Sequence, residues 1–421
     1  MKYLSYEQSD FSARVAELKR MSDTPPEVVL QVRQILNRVQ KEGDRAVVEI
    51  TNQFASTSVT REQLALTSKP PAPKSEIKEA LRKAHRNIVK FYRPCLPKSW
   101  LGKNHEGAQV GEIYQPLERV GIYVPGGTAP LVSSALMTIT LAKTAGVESI
   151  VVCTPPPVNP VLHYAIKLAG ATEIYQVGGA QAIAAMAYGT ESIKAVHKVY
   201  GPGNAFVVEA KRQIFGRVGV DLIPGPSEVA VLADKSAKPA FVAADLLAQA
   251  EHGPGSQIFL ISTEKKLIEA VKEEIERQIV AHPRIQYLRE TLNLGCTLLL
   301  VKNLKQGVQI VEAIAPEHLS LVCAGAKDLG KKIRNCGGIF IGDYSPVAAG
   351  DYAAGPSHEY PTNGSARSFS GLTIDQFVRK TSFVRYEKDA LKRGRKTIET
   401  LAEVEGMTAH KASVAVRFAK K

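Results

Sequence analysis

Apolar residues recur at helical spacing through the first hundred residues, as in Val28-Val29-Leu30, Val32, Ile35-Leu36 and Val39 behind Pro25-Pro26. That pattern predicts a helical lead-in. The texture changes at Arg119: Val120-Gly121-Ile122-Tyr123-Val124 is a short β-branched run, Pro125-Gly126-Gly127 breaks it, and Ala129 to Ala145 is long enough for a helix. The unit recurs at Ser149-Ile150-Val151-Val152-Cys153, at Glu173-Ile174-Tyr175-Gln176-Val177 before Gly178-Gly179, and at Lys198-Val199-Tyr200 before Gly201-Pro202-Gly203. Strands alternating with helices at this spacing predict parallel βαβ units in an open, doubly wound sheet, with ligands at the carboxyl ends of its strands. A second α/β region has strand candidates at Ile258–Ile261, Thr297–Val301, Leu319–Val322 and Ile339–Ile341. Two such regions imply a cleft between them. After Gly371 the chain reads as helical and basic, with no strand signal.

At 421 residues and 44% hydrophobic, the chain is long enough for more than one domain. It has no apolar run of membrane-spanning length, and its start, Met1-Lys2-Tyr3-Leu4-Ser5-Tyr6-Glu7, does not read as a leader. The five cysteines, Cys95, Cys153, Cys296, Cys323 and Cys336, are widely spaced. They form neither a metal knuckle nor a disulfide scaffold, which points to a reducing cytoplasm. Cys153 and Cys323 follow apolar runs and read as small buried hydrophobes. The net charge of +13 permits a polyanionic partner, and much of it falls between Gln376 and Lys421. There the basic residues are interspersed with acids and lack interleaved aromatics, so neither nucleic acid nor membrane is expected as a partner.

None of the glycine turns spells GxGxxG or GxxxxGK[ST], so motif matching alone reveals no nucleotide. Asp245 to His252 reads as a helix ended by Gly253-Pro254, which sets Gln249 and His252 on one face, within reach of one metal ion. Completing such a site would take oxygen or nitrogen donors from elsewhere. Glu317 and His318 stand where a helical stretch meets a strand, and in extended chain they would point to opposite sides as two separate bases. Gly350 to His358 reads as a small-residue loop carrying Asp351 and His358.

Eight stretches, in order along nearly the whole chain, together resemble the histidinol dehydrogenase family. They are Glu118–Gly127, Gly178–Ala184, Gly201–Val207, Gly225-Pro226-Ser227-Glu228, the Gln249/His252 helix, Ala315–Leu319, Gly350-Asp351-Tyr352, and Glu405-Gly406 with Ala409-His410-Lys411. The resemblance implies two Rossmann-like, doubly wound α/β domains with a helical N-terminal arm and a helical C-terminal tail. Residues 1–17 would be the arm, 18–122 with 228–371 the domain carrying metal and catalytic residues, 123–227 the NAD side, and 372–421 a dimerisation tail. It implies one zinc per subunit on Gln249, His252, Asp351 and His410, and acid/base residues Glu317 and His318. Substrate contacts would fall on Ser227, His358 and Glu405, together with Gln249, His252, His318, Asp351 and His410, and NAD contacts on Tyr123, Gln181 and Asn204.

The family's reaction is two successive NAD-dependent oxidations, histidinol to histidinal and hydrated histidinal to histidine, in histidine biosynthesis. By resemblance His318 would take the alcohol proton and Glu317 would activate the attacking water. The tail, too poor in apolar residues to form its own core, would dock on a partner, giving a homodimer in which each site takes Glu405 and His410 from the other chain. The loop departs from the family at Glu359-Tyr360, where an apolar pair is more usual. The alternative substrate is another amino or sulfonated alcohol, handled by a related zinc- and NAD-dependent dehydrogenase; a zinc hydrolase would leave the NAD-contact positions unexplained.

Overall fold

The computed structural model describes residues 1–18, 24–126 and 130–419. Gly127 of the first glycine turn and Ala129, the expected start of the helix after it, lie outside the described residues. The strands are β1 Lys2–Ser5, β2 Trp100–Lys103, β3 Gln109–Pro116, β4 Arg119–Tyr123, β5 Ser149–Cys153, β6 Glu173–Tyr175 and β7 Lys198–Tyr200. They continue with β8 Gly219–Val220, β9 Glu228–Ala233, β10 Gln257–Ser262, β11 Cys296–Leu300, β12 His318–Val322, β13 Gly338–Ile341 and β14 Val378–Arg385. Five of them lie in the order β6-β5-β4-β7-β8 and six in the order β1-β11-β10-β9-β12-β13, with every pairing parallel. Counted from β4 in one sheet and from β9 in the other, both read 3-2-1-4-5, the dinucleotide-fold order, with β1 added at one edge.

Helices cover both faces of each sheet, as parallel strands require. They are α1 Phe11–Ala16, α2 Pro26–Glu42, α3 Asp44–Phe54, α4 Ser75–Tyr92, α5 Val132–Ala145, α6 Pro160–Ala169, α7 Gly179–Tyr188 and α8 Ala205–Ile214. The remainder are α9 Pro239–Ala250, α10 Lys265–Ile279, α11 Ile285–Gly295, α12 Leu304–Ile314, α13 Ala326–Gly330, α14 Val347–Tyr352, α15 Lys388–Val404 and α16 Thr408–Ala415. Strand alternation sorts the cores: Val151 and Cys153 of β5 enter one, Ile150 and Val152 the other. In the larger sheet Val229, Val231 and Ala233 face one side, Ala230 and Leu232 the opposite side. Among the described residues no helix is long and apolar enough to cross a membrane.

Several expectations need correction. The N-terminal arm is not simply helical, because Lys2–Ser5 pairs with β11 as an edge strand. The division at residue 122 cuts through β4, which belongs wholly to the five-stranded sheet. The helices expected to join the catalytic domain pack on that sheet too: Leu36, Val47 and Ile50 share a core with Tyr123 and Val151, and Leu81, Ile88 and Tyr92 share one with Ile122 and Ile150. The start of the tail is also part of this lobe, since Leu372, Ile374 and Phe377 are buried there and Phe377 stacks on Tyr200 at 4.2 Å. Beyond it the chain forms a strand where none was expected. β14 pairs antiparallel with β3 in a three-stranded sheet completed by β2, and α15 and α16 follow.

Candidate functional site

A cavity of about 1370 Å³, ample for a dinucleotide, opens at the carboxyl ends of β4 to β7, where Tyr123, Gln181 and Asn204 line it together. Each has structural work as well. The Tyr123 hydroxyl accepts from Gly179 N at 3.1 Å, at the start of α7. Asn204 caps α8 through Oδ1, which accepts from the N–H groups of Phe206 and Val207 at 3.1 and 3.2 Å. Gln181 Nε2 donates to Thr51 at 3.4 Å. The turn after β7 is set by Gly201 at φ +110, where a Cβ would lie 2.0 Å from the Tyr123 carbonyl oxygen. Gly201 N donates to Asp221 Oδ2 at 2.7 Å and its carbonyl accepts from Lys211 Nζ at 2.8 Å, while Lys211 and Asp221 form a buried ion pair. Sequence reading missed this pair, because a lysine and an aspartate ten residues apart look like ordinary surface charges.

In the six-stranded sheet the chemistry lies at the opposite, amino ends of the strands. Pairing of β9 with β12 sets His318 beside Val229, so the residues leading into the two strands meet. Glu317 Oε2 accepts from Ser227 Oγ at 2.6 Å and from Glu228 N at 2.8 Å. His318 Nδ1 lies 2.9 Å from the Glu228 carbonyl oxygen. A carbonyl can only accept, so Nδ1 carries the proton and Nε2 presents its lone pair. That Nε2 is buried without a partner. Glu317 and His318 do not point to opposite sides as expected: the chain leaves α12 through Ala315 at φ 51, which keeps Glu317 outside the strand and its Oε2 3.5 Å from His318 Nδ1. They still form no relay, since each is held by a different group of Ser227-Glu228. Burial, offset in part by the Ser227 and Glu228 hydrogen bonds, pushes the Glu317 carboxyl up to about 7 and lowers the His318 imidazole.

Around His318 stand His252, Asp351 and His358. The His252 imidazole is lowered by burial and then by His318, and His358 is pushed down to about 4 by burial, His318 and His252. Burial raises the Asp351 carboxyl, against the attraction of His318. Asp351 sits on the short helix α14 rather than in a loop, with Oδ1 3.7 Å from His358 Nδ1. The other ring nitrogen of His358 lies 3.0 Å from Ser134 Oγ on α5. Gln249 is buried in the last turn of α9, and its amide nitrogen has no hydrogen-bond partner; an imidazole nitrogen and a carboxylate oxygen, the groups that His252 and Asp351 offer, are donors that zinc accepts. His410 and Glu405 are exposed, and among the described residues no cluster of three or more His, Cys, Asp or Glu is assembled to hold a metal. The structure thus gathers Ser227, Glu317, His318, His252, Asp351 and His358, and leaves the two tail residues outside.

The Glu317 shift has a measurable consequence. Its carboxyl is raised in the folded chain to about 7 from 4.5, so folding favours the protonated form. Stability linked to it is full below about pH 4.5 and is lost as pH rises through 7. Glu317→Gln, which resembles the protonated acid, should therefore exceed the wild type in stability above pH 7, by on the order of 3 kcal/mol, with the gain fading towards pH 4.5. Urea unfolding at several pH values reads this, and a gain independent of pH would contradict it.

A family model described as histidinol dehydrogenase matches residues 18–418. A histidinol dehydrogenase of Syntrophotalea carbinolica is 42% identical over 99% of both chains. One from Listeria monocytogenes is 41% identical over 93% of each. The crystal structure of histidinol dehydrogenase from Elizabethkingia anophelis superimposes with a TM-score of 0.92 at 33% identity, covering 99% of this chain and 98% of the other. An acetylating aldehyde dehydrogenase from Geobacillus thermoglucosidasius, at 14% identity and a TM-score of 0.51, shares the fold alone. With matches of this length and identity, the chain belongs to the histidinol dehydrogenase family.

Proposed function

We propose that this protein oxidises histidinol through histidinal to histidine with two molecules of NAD. The observation that carries the reading is His318, a buried imidazole whose Nδ1 is committed to the Glu228 carbonyl and whose Nε2 has no partner. Such a nitrogen is a base ready for an alcohol proton. Glu317, its carboxyl raised to about 7, is matched to take a proton from the water that adds to the aldehyde, and Ser227 orients it. Tyr123, Gln181 and Asn204 would meet NAD in the cleft, and Gln249, His252, Asp351 and a partner's His410 would hold zinc. When bound, NAD would supply the hydride acceptor for each oxidation and zinc a cationic anchor for the substrate. His358 and Glu405 would meet the substrate beside them. The free cysteines fit a cytoplasmic enzyme.

The tail residues call for a second chain. His410 and Glu405 are exposed on a tail that also exposes Leu401, Val404, Met407 and Val416, an apolar surface suited to burial against another copy. A homodimer with exchanged tails would deliver both groups to each site.

His318→Asn should depress oxidation of histidinol and of histidinal alike, by about 10²-fold or more, whereas Glu317→Gln should mainly slow the aldehyde step. Separate assays of the two substrates decide this, and equal loss of both steps in Glu317→Gln would contradict the division of labour. Mixing inactive His252→Asn with inactive His410→Asn chains should restore activity, because one site of the heterodimer regains every group. No recovery after verified subunit exchange would exclude a shared site.

A further inference from the structure

The turn after β7 is built from residues that do not fix their own shape. Gly201 and Gly203 flank Pro202, and glycine visits backbone conformations that other residues avoid. Gly201 stands at φ +110, just past the ladder that β7 forms with β4, and a Cβ on Gly203 would lie 2.4 Å from Val207 of α8. Two side chains hold this turn. Asp221 Oδ2 accepts from Gly201 N at 2.7 Å, and Lys211 Nζ donates to the Gly201 carbonyl at 2.8 Å. Both main-chain groups of one buried glycine are thus taken up by the two members of one ion pair, whose side chains are 1% and 2% exposed. Each member is carried by a regular element: Lys211 lies on α8, and Asp221 directly follows β8, with its N–H donating to the Val199 carbonyl of β7 at 3.2 Å.

The gripped turn bears on two residues of the cleft. Three positions on, Asn204 lines the cavity and caps α8 through Oδ1, so its amide nitrogen is the group it can offer a ligand. On the other side, Gly201 lies so close to Tyr123 that a Cβ would sit 2.0 Å from the Tyr123 carbonyl oxygen, and the Tyr123 hydroxyl in turn meets the start of α7. A buried ion pair gives little stability beyond an apolar pair of the same size, whereas its hydrogen bonds fix position. We propose that Lys211 and Asp221 are positioning residues for NAD, which through Gly201 hold Asn204 and Tyr123 in the setting from which they meet the cofactor. The proposal rests on the reading of Asn204 and Tyr123 as NAD contacts.

The double variant Lys211→Met/Asp221→Leu tests this, because it removes the grip without leaving a buried charge unpaired. Its thermal midpoint should stay within about 5 °C of the wild type. Its Kd for NADH, read from the fluorescence of the bound cofactor, should rise about tenfold, while KM for histidinol stays within about twofold. Lys211→Met/Asp221→Asn keeps an acceptor for Gly201 N and should lose less, about threefold. The loss caused by the leucine variant should shrink in an Asn204→Ala background, since the pair acts in part through that side chain. Wild-type NADH affinity in the leucine variant, with Asn204→Ala about tenfold weaker, would overturn the positioning role and leave the contact reading intact. Unchanged affinity in Asn204→Ala would overturn the contact reading, and the proposal with it. Parallel rises in the Kd for NADH and the KM for histidinol would overturn the positioning role in favour of general loosening. Wild-type affinity in the asparagine variant would overturn the part given to Lys211, even if the leucine variant does not fold.

Discussion

Glu228 gives both of its main-chain groups to the residues that lead into β12: its N–H donates to Glu317 and its carbonyl accepts from His318. A parallel ladder leaves such groups free at its first rung, and here the side chains of the neighbouring strand take them up. One hydrogen bond fixes the ring orientation and proton position of His318. The other, with Ser227, fixes the carboxylate that serves beside it. Both depend on the register of β9 with β12, and a slip by one residue would turn these groups to the other face of the sheet.

The two lobes share a strand order and use opposite ends of it. In the five-stranded sheet the cleft opens at the carboxyl ends, where glycine turns and helix starts come together. In the six-stranded sheet Glu317 and His318 sit at the amino ends, which the carboxyl-end rule does not anticipate. The two places meet through α5, which begins just beyond Pro130 of the cleft and touches His358 at Ser134.

Much of this was legible in the residues. β4 to β7 and β10 to β13 announce themselves as β-branched or apolar runs closed by turns, whereas Glu317-His318 and Gln249/His252 are weak signals by themselves and gain their expected roles only through the resemblance. β9, a central strand of the six-stranded sheet, does not. Glu228-Val-Ala-Val-Leu-Ala is buried at every position, so it shows no alternation, and its alanines carry little strand signal. β1 is four residues long with only its last two buried, and β14 is studded with exposed basic residues; both exist because distant strands offer main-chain partners. The Lys211–Asp221 pair is a product of packing, and no spacing along the chain foretells it. The proposed delivery of Glu405 and His410 from a second chain rests on the resemblance and not on any spacing in the sequence.

The central claim is that one site performs two oxidations in succession on one substrate, without releasing the aldehyde between them. Counting NADH formed per histidinol consumed, with zinc present and NAD in excess, tests it most directly. The account predicts two NADH for each histidinol, with histidine as the product and no free histidinal accumulating. One NADH per histidinol with the aldehyde released, or no NADH at all, would contradict it.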